Sequence, residues 1–347
     1  MRKKMKIKSM IVSLLMLCCS LEAEVKYEIL DVGTLQTQAS EAIALNLHGE
    51  ILGWYNVDGK AENKFFFFRD KYASFHEIPK KDNNGPAIIW KYLKDDGKVY
   101  GTNDDNANYS VLYVWDQKNG IVKLGNLPAK NIAAINNAGQ VLISSISETE
   151  NGKVMQRPVI WHHGVVTKLR GLEGNVGIES DNSCGLDMNN NGDVVGNCVV
   201  SINYKDKLYT QTHAVKWTNG KIIDMHNKVP KTASTSARAI NDLGEVLIGS
   251  YLVKTDGTVL EHPIFASAKT TQNKYFYTEG SGQLINRSGN VIMLKDQITL
   301  NLSNDYDSIW LNFNRIVSVN NKGEAIAVGT TIYGENHIMF LIPVSQE

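Results

Sequence analysis

Three histidines, His213, His262 and His337, stand in similar sequence surroundings. Three imidazoles converging from separate segments would be the ligand set of a catalytic zinc site. Their places argue otherwise. Each falls at a comparable point of an internal repeat, where another copy carries Arg157. A residue that recurs with a repeat serves the repeat, here by bonding a neighbouring strand. Neither His-x-x-x-His nor closely paired Cys spacing supports zinc. His162 and His163 follow Trp161 and read as a solvated turn. Asp187-Met-Asn-Asn-Asn191-Gly192 matches the first half of a calcium loop, but the twelfth position is Cys198 instead of a bidentate Glu. A hairpin is the better reading, because other copies carry Ala44, Ala134 and Ala239 where Asp187 stands. Gly-x-Ser-x-Gly, Walker and dinucleotide fingerprints are missing. Neither a metal nor a cofactor is expected.

Two further pairs carry expectations. Cys184 and Cys198 are equidistant from residue 191, inside the Asn189 to Gly192 turn. Residues equidistant from a hairpin turn face each other across the strands, so a disulfide is expected between them. Its short loop makes the bond worth about 2–3 kcal/mol. Trp54 stands where other copies have Thr102, Asn197, Ser250 and Thr330. With Tyr55 it is the candidate binding site, an aromatic platform that stacks on sugar or anchors a protein partner. Trp115, Trp161 and Trp217 recur and are assigned to the core. Phe65 to Phe68 read as the third strand of their unit, buried on both faces.

The elements that must position these residues come from the repeat. An apolar residue, Asn, two residues, Gly, one residue and an apolar stretch recur as Leu45 to Gly53, Ile135 to Ile143, Met188 to Gly196, Ile240 to Gly249, Ile285 to Met293 and Val319 to Gly329. A degenerate copy, Leu93 to Gly101, lacks the Asn. The motif glycines are Gly49, Gly97, Gly139, Gly192, Gly244, Gly289 and Gly323, spaced 48, 42, 53, 52, 45 and 34 residues apart. Asn and Gly accept positive φ at low cost, so Asn-x-x-Gly between β-rich runs is a hairpin. Later in each copy come a strand ending in an aromatic, as at Trp115, Trp161 and Trp217, a polar turn, and a strand such as Ile121 to Leu127. Each unit is thus about four short strands, and no segment sustains the 3.6-residue period of a helix.

Units of four antiparallel strands at this period predict an all-β fold, a β-propeller of about seven four-stranded blades. The last copy stops at Phe340 to Pro343 without a final strand, and Val25 to Leu35 supplies one. An N-terminal strand that closes the last blade leaves no open edge. Asp31 to Gly53, with its LGTL-like start and AINxxGxVVG-like hairpin, and His213-Ala-Val-Lys-Trp217 resemble the bacterial extracellular repeat family named for its His-Ala-Phe tripeptide. The resemblance covers about residues 27 to 343. It implies secretion and a propeller-like structure, with no established activity and no catalytic residues to carry over.

Composition narrows the classes. The 347 residues are 43% hydrophobic and 21% charged, which excludes a disordered chain and a polytopic membrane protein. Residues 1 to 23 hold five basic residues and an apolar run, Met10 to Cys19, too short to span a bilayer. They read as a secretory signal, with residues 24 to 347 as one mature domain. Lipidation is not expected, since Leu17 or Cys18 stands where a small residue is needed. Without the signal, 31 basic and 35 acidic residues remain, with no basic run to drive nucleic-acid binding and no membrane span. The expectation is a secreted or periplasmic, monomeric propeller that binds a protein or a glycan. The alternative is a hydrolase or lyase whose polar residues meet at the central channel.

Overall fold

In the computed structural model, residues 26–33, 39–56, 63–68, 76–82, 85–103, 109–150, 153–172, 178–205, 207–230, 234–266, 269–270, 275–277, 283–286, 291–293, 310–331, 334 and 336–344 are described. The signal assigned to residues 1 to 23 lies outside them. After β1 (Lys26–Gly33), strands β2 (Ala39–Leu45), β3 (Ile51–Asn56), β4 (Asn63–Phe68) and β5 (His76–Ile78) form one antiparallel sheet in that order. A second follows with β6 (Ile89–Leu93), β7 (Val99–Asn103), β8 (Val111–Asp116) and β9 (Gly120–Asn126). Next come β10 (Ile132–Ile135), β11 (Val141–Glu150), β12 (Lys153–His162) and β13 (Val165–Lys168), then β14 (Ile178–Met188), β15 (Val194–Tyr204), β16 (Lys207–Thr218) and β17 (Lys221–Asp224). One parallel bridge, Gln156 to Asn182, joins these two sets.

The fifth sheet is β18 (Ala237–Ile240), β19 (Val246–Ile248), β20 (Tyr251–Val253) and β21 (Val259–Glu261), and the sixth is β22 (Lys269–Thr270), β23 (Tyr275–Tyr277), β24 (Gln283–Asn286) and β25 (Val291–Met293). Three strands, β26 (Trp310–Val319), β27 (Ala325–Thr331) and β28 (Asn336–Val344), begin the last sheet. Its fourth strand is β1, antiparallel to β28 from Lys26 opposite Val344 to Gly33 opposite Ile338. The two ends of the described chain therefore share one sheet.

The core lies between successive sheets, because wherever the side chains are described the residue pair after the motif turn points to opposite faces and both members are buried. Ile51 packs with Phe66 against Val317, Ile326 and Phe340 of the last sheet, while Leu52 packs with Phe65 and Phe67 against Trp90, Val99 and Trp115 of the second. Val141 faces Tyr100 and Leu112, whereas Leu142 faces Met188, Val194 and Trp217. Val195 and Val246 meet between the fourth and fifth sheets. Each such side chain contributes about 1.5–3 kcal/mol by leaving water. The aromatic strand Phe65 to Phe67 is indeed buried on both faces.

A second regularity is hidden inside the first strands. The register slips just before the motif turn in each of β2, β6, β10, β14, β18 and β26, between Ala42 and Ala44, Trp90 and Tyr92, Ile132 and Ala134, Gly185 and Asp187, Ala237 and Ala239, and Ile316 and Ser318. An extra residue on one strand of a pair is a β-bulge. It breaks the register that the expected disulfide needs. Counting from the turn puts Cys184 opposite Cys198 only in an unbroken ladder. With the bulge at Leu186, Cys184 lies opposite Asn197 and Cys198 opposite Ser183, so neighbouring positions replace facing ones. No bond joins the two sulfurs in this arrangement. Cys184 Sγ sits 2.8 Å from Ser144 Oγ, and Cys198 is wholly buried.

Two units depart from the pattern. Around His262 the repeat predicts a third strand, but Pro263 removes a ladder donor and Pro263–Ala266 is a 3-10 turn that drives Phe265 into the core beside Leu247 and Leu252. The Gly249-Ser250 hairpin supplies β20 instead. In the sixth sheet the motif hairpin joins the third and fourth strands, where elsewhere it joins the first and second.

Alkylation of the unfolded, unreduced chain is expected to label both Cys184 and Cys198. A mass deficit of two hydrogens with neither labelled would restore the bond.

Candidate functional site at the central cavity

The motif asparagine does more than turn the chain. Asn46 Oδ1 accepts from the amides of His48 (3.0 Å) and Glu50 (2.9 Å), which holds the turn. Its Nδ2 leaves the sheet and donates to the Lys94 carbonyl at 2.9 Å. The same link recurs around the molecule. Asn136 donates to Asn189 O (3.3 Å), Asn189 to Asn241 O (3.0 Å), and Asn320 of the last sheet to Asn46 O of the first (2.9 Å). Where the repeat has Lys94, its longer side chain donates to the Ile135 carbonyl.

A second belt uses the following residue. The amides of Leu47, Asn137 and Asn190 donate to the side-chain oxygens of Asp95 (2.9 Å), Asn190 (2.8 Å) and Asp242 (2.8 Å), each on the next sheet. The turn glycines sit under these belts with φ near +80°. At Gly192 (φ +80) a Cβ would lie 3.2 Å from Gln140 Oε1 of the preceding sheet, so backbone conformation and close approach both select glycine.

Inside the belts lies an open cavity of about 520 Å³ to which every sheet contributes, the sixth through Lys269. Its wall is mainly the ends of the first strands and the motif turns. Two charged wall residues depart from the repeat, and a third holds a variable position. Lys94 replaces the ring asparagine, Asp187 replaces a small residue, and Arg238 occupies the bulge position that Ile43, Lys91, Ala133, Leu186 and Val317 hold elsewhere. Asp187 Oδ1 accepts from Met188 N and Oδ2 from Ile240 N, both at 2.9 Å. Burial nevertheless pushes its pKa up to about 6, against the lowering effect of those amides and of Lys94. Burial pulls the Lys94 ammonium down to about 8, against the raising effect of Asp95, Asp187 and Asp96. Arg238 Nη2 donates to Phe265 O at 3.0 Å.

The residues singled out from sequence lie elsewhere. Trp54 and Tyr55 are consecutive on β3 and point to opposite faces. Tyr55 is in the core against Phe66 and its hydroxyl donates to Glu77 Oε2 at 3.2 Å. Trp54, half-buried, packs toward the second sheet. The two rings do not form one platform, and neither lines the cavity. His213 bonds its neighbouring strand, with Nδ1 2.9 Å from Asp224 Oδ2, and stacks on His226 at 4.1 Å. Burial, and next the His213 charge, hold His226 below the usual histidine range. Asp187, read as part of a calcium-like turn, is a cavity-wall residue instead. Among the described residues no cluster of three or more potential ligands could hold a metal ion. Comparing Lys94 and Asp187 with their counterparts was the signal that could have marked this site in the sequence.

No protein-family model and no curated protein matches the chain. Among solved structures, it is similar to the β-propeller domain of the Trilobed protease from Pyrococcus furiosus, described as having an open velcro topology. That likeness has a TM-score of 0.52 at 15% identity, over 88% of this chain and 98% of the other. A prolyl endopeptidase scores 0.49 at 12% identity, with 93% of this chain matching 51% of that one. YCF48 bound to D1 peptide scores 0.44 at 12% identity, over 92% and 97% of the two chains. The first of these, with the four-stranded antiparallel sheets, places the chain among β-propeller folds. Among the described residues no helix is long and apolar enough to cross a membrane.

Asn189 Oδ1 holds two amides of its own turn and its Nδ2 reaches Asn241. Removing a side chain that satisfies buried backbone groups costs about 1–3 kcal/mol per orphaned group. Asn189→Ala is therefore expected to lower unfolding free energy by about 2–4 kcal/mol in urea melts. A loss under about 0.5 kcal/mol, typical of an ordinary surface substitution, would deny the belt its role.

Proposed function

We propose that the four-stranded sheets are the blades of one closed, seven-bladed propeller, and that the propeller is a secreted or periplasmic binding module, of the His-Ala-Phe repeat kind, that takes a protein partner at the mouth of its central cavity. Closure is supported by the β1–β28 pairing and by the Asn320 to Asn46 link between last and first sheets. Export is supported by the basic-apolar first segment. The binding reading is carried by one observation: the charged residues that break the repeat, Lys94 and Asp187, line the same cavity. A purely structural ring would gain nothing from replacing its own pattern there.

Between the two ligand classes expected from sequence, the wall favours protein over glycan. Its described lining residues include no aromatic ring on which a sugar would stack, and they present amides, carboxylates and cations suited to a polypeptide. A hydrolase or lyase reading has less support. Both Asp187 oxygens already accept backbone amides, and no histidine or cysteine is among the described lining residues.

A photo-crosslinking amino acid at Leu47, on the cavity wall, is expected to give a discrete protein adduct in cells. The same group at Val165, exposed on β13 at the outer edge, is expected to give none. Equal adducts from both positions, or none from Leu47, would contradict binding at the mouth.

A further inference from the structure

The balance of donors and acceptors on the cavity wall is uneven. Both carboxylate oxygens of each wall aspartate are already engaged. Asp95 accepts from Leu47 N (2.9 Å) and Asn137 Nδ2 (2.6 Å). Asp242 accepts from Asn190 N and Asn190 Nδ2, both at 2.8 Å. Asp187 accepts from Met188 N and Ile240 N. Lys94 is the opposite case. Its ammonium carries three N–H groups and donates to the Ile135 carbonyl. Among the described residues its remaining hydrogens meet no acceptor. A desolvated cation with unspent donors, beside carboxylates whose oxygens each already bond an amide instead of the ammonium, is placed to receive an anionic acceptor from a ligand.

We propose that the cavity binds a carboxylate of the partner polypeptide, received by the Lys94 ammonium. This rests on the reading of the propeller as a binding module at that cavity, and it adds the chemical group recognised. The N–H···O⁻ bonds so formed are charge-assisted, which makes them stronger than neutral ones. The carboxylate also replaces the hydration that burial denies to Lys94. It belongs either to a chain terminus or to an Asp or Glu side chain, and peptides separate the two.

Lys94→Asn is the informative variant, because it installs the residue that Asn46, Asn136, Asn189 and Asn241 carry in the same ring and so keeps a donor in the belt while removing the charge. Fluorescent octapeptide pools are compared by anisotropy in three forms: acid-free with a free C-terminus, acid-free and amidated, and amidated with one Glu. Wild type is expected to bind at least one carboxylate-bearing form about tenfold more tightly than the acid-free amide. Lys94→Asn is expected to lose that preference, and Lys94→Arg to keep it. Preference for the first form identifies a chain terminus, and preference for the third a side chain. Equal binding of all three forms by wild type, or a preference retained in Lys94→Asn, overturns the carboxylate while leaving the binding module standing. No binding of any form removes both. Should Lys94→Asn fail to fold, ¹³Cε-lysine spectra of wild type replace it. The resonance titrating near 8 is expected to move with acetate and stay still with acetamide, and equal response to both overturns the proposal.

Discussion

One side chain, used repeatedly, holds this molecule together: an asparagine that turns the chain with its oxygen and bonds the next sheet with its nitrogen. Asn46, Asn136, Asn189 and Asn320 each do both. The amide suits the task because it carries acceptor and donor on one short arm. Serine has too little reach, and aspartate would set a negative charge against a carbonyl. The bonds also face the cavity, where backbone carbonyls without partners would be costly. Local turn and long-range contact are thereby the same residue, which ties the hairpin signal in the sequence to the arrangement of whole sheets.

Hydrophobic packing supplies most of the stability but little of the direction. The interfaces between sheets are built from interchangeable aliphatic and aromatic side chains, such as Ile51, Leu142 and Val195, and a layer of that kind tolerates sliding. The polar belts remove the freedom to slide. Leu47 N finds Asp95, and Asn190 finds Asp242, only when adjacent turns stand at one height. The bulge in six of the first strands adds to this by re-aiming the residues near the turn, as at Leu186 and Arg238, toward the cavity. Departures from this pattern on the cavity wall are few: Lys94 stands where other turns carry asparagine, and Asp187 where they carry a small residue.

Much of the fold was legible because turn chemistry and alternation are local. The Asn-x-x-Gly spacing marked the hairpins, the recurring Trp115, Trp161 and Trp217 are core, and the missing last strand pointed to β1. The failures came from features that leave no compositional trace. A bulge looks like any other strand residue, so the Cys184 to Cys198 count was off by one position. Trp54 and Tyr55 suggested a platform because adjacency in sequence looks like adjacency in space, yet strand geometry sends them to opposite faces. The cavity was hardest to see. Lys94 registered as a degenerate motif and Asp187 as half a calcium loop, since their meaning depends on the ring that gathers their turns to one place.

Hydrogen exchange in Asn320→Ala tests most directly whether the asparagine bonds couple sheets that are distant in sequence. Asn320 belongs to the last sheet and its Nδ2 reaches Asn46 of the first. If the belt holds the ring, amides of the first sheet's turn, including His48 and Glu50, exchange faster in the variant although nothing near them in sequence has changed. Acceleration confined to residues 310–344 would contradict the account and reduce the asparagine to a device for turning a single hairpin.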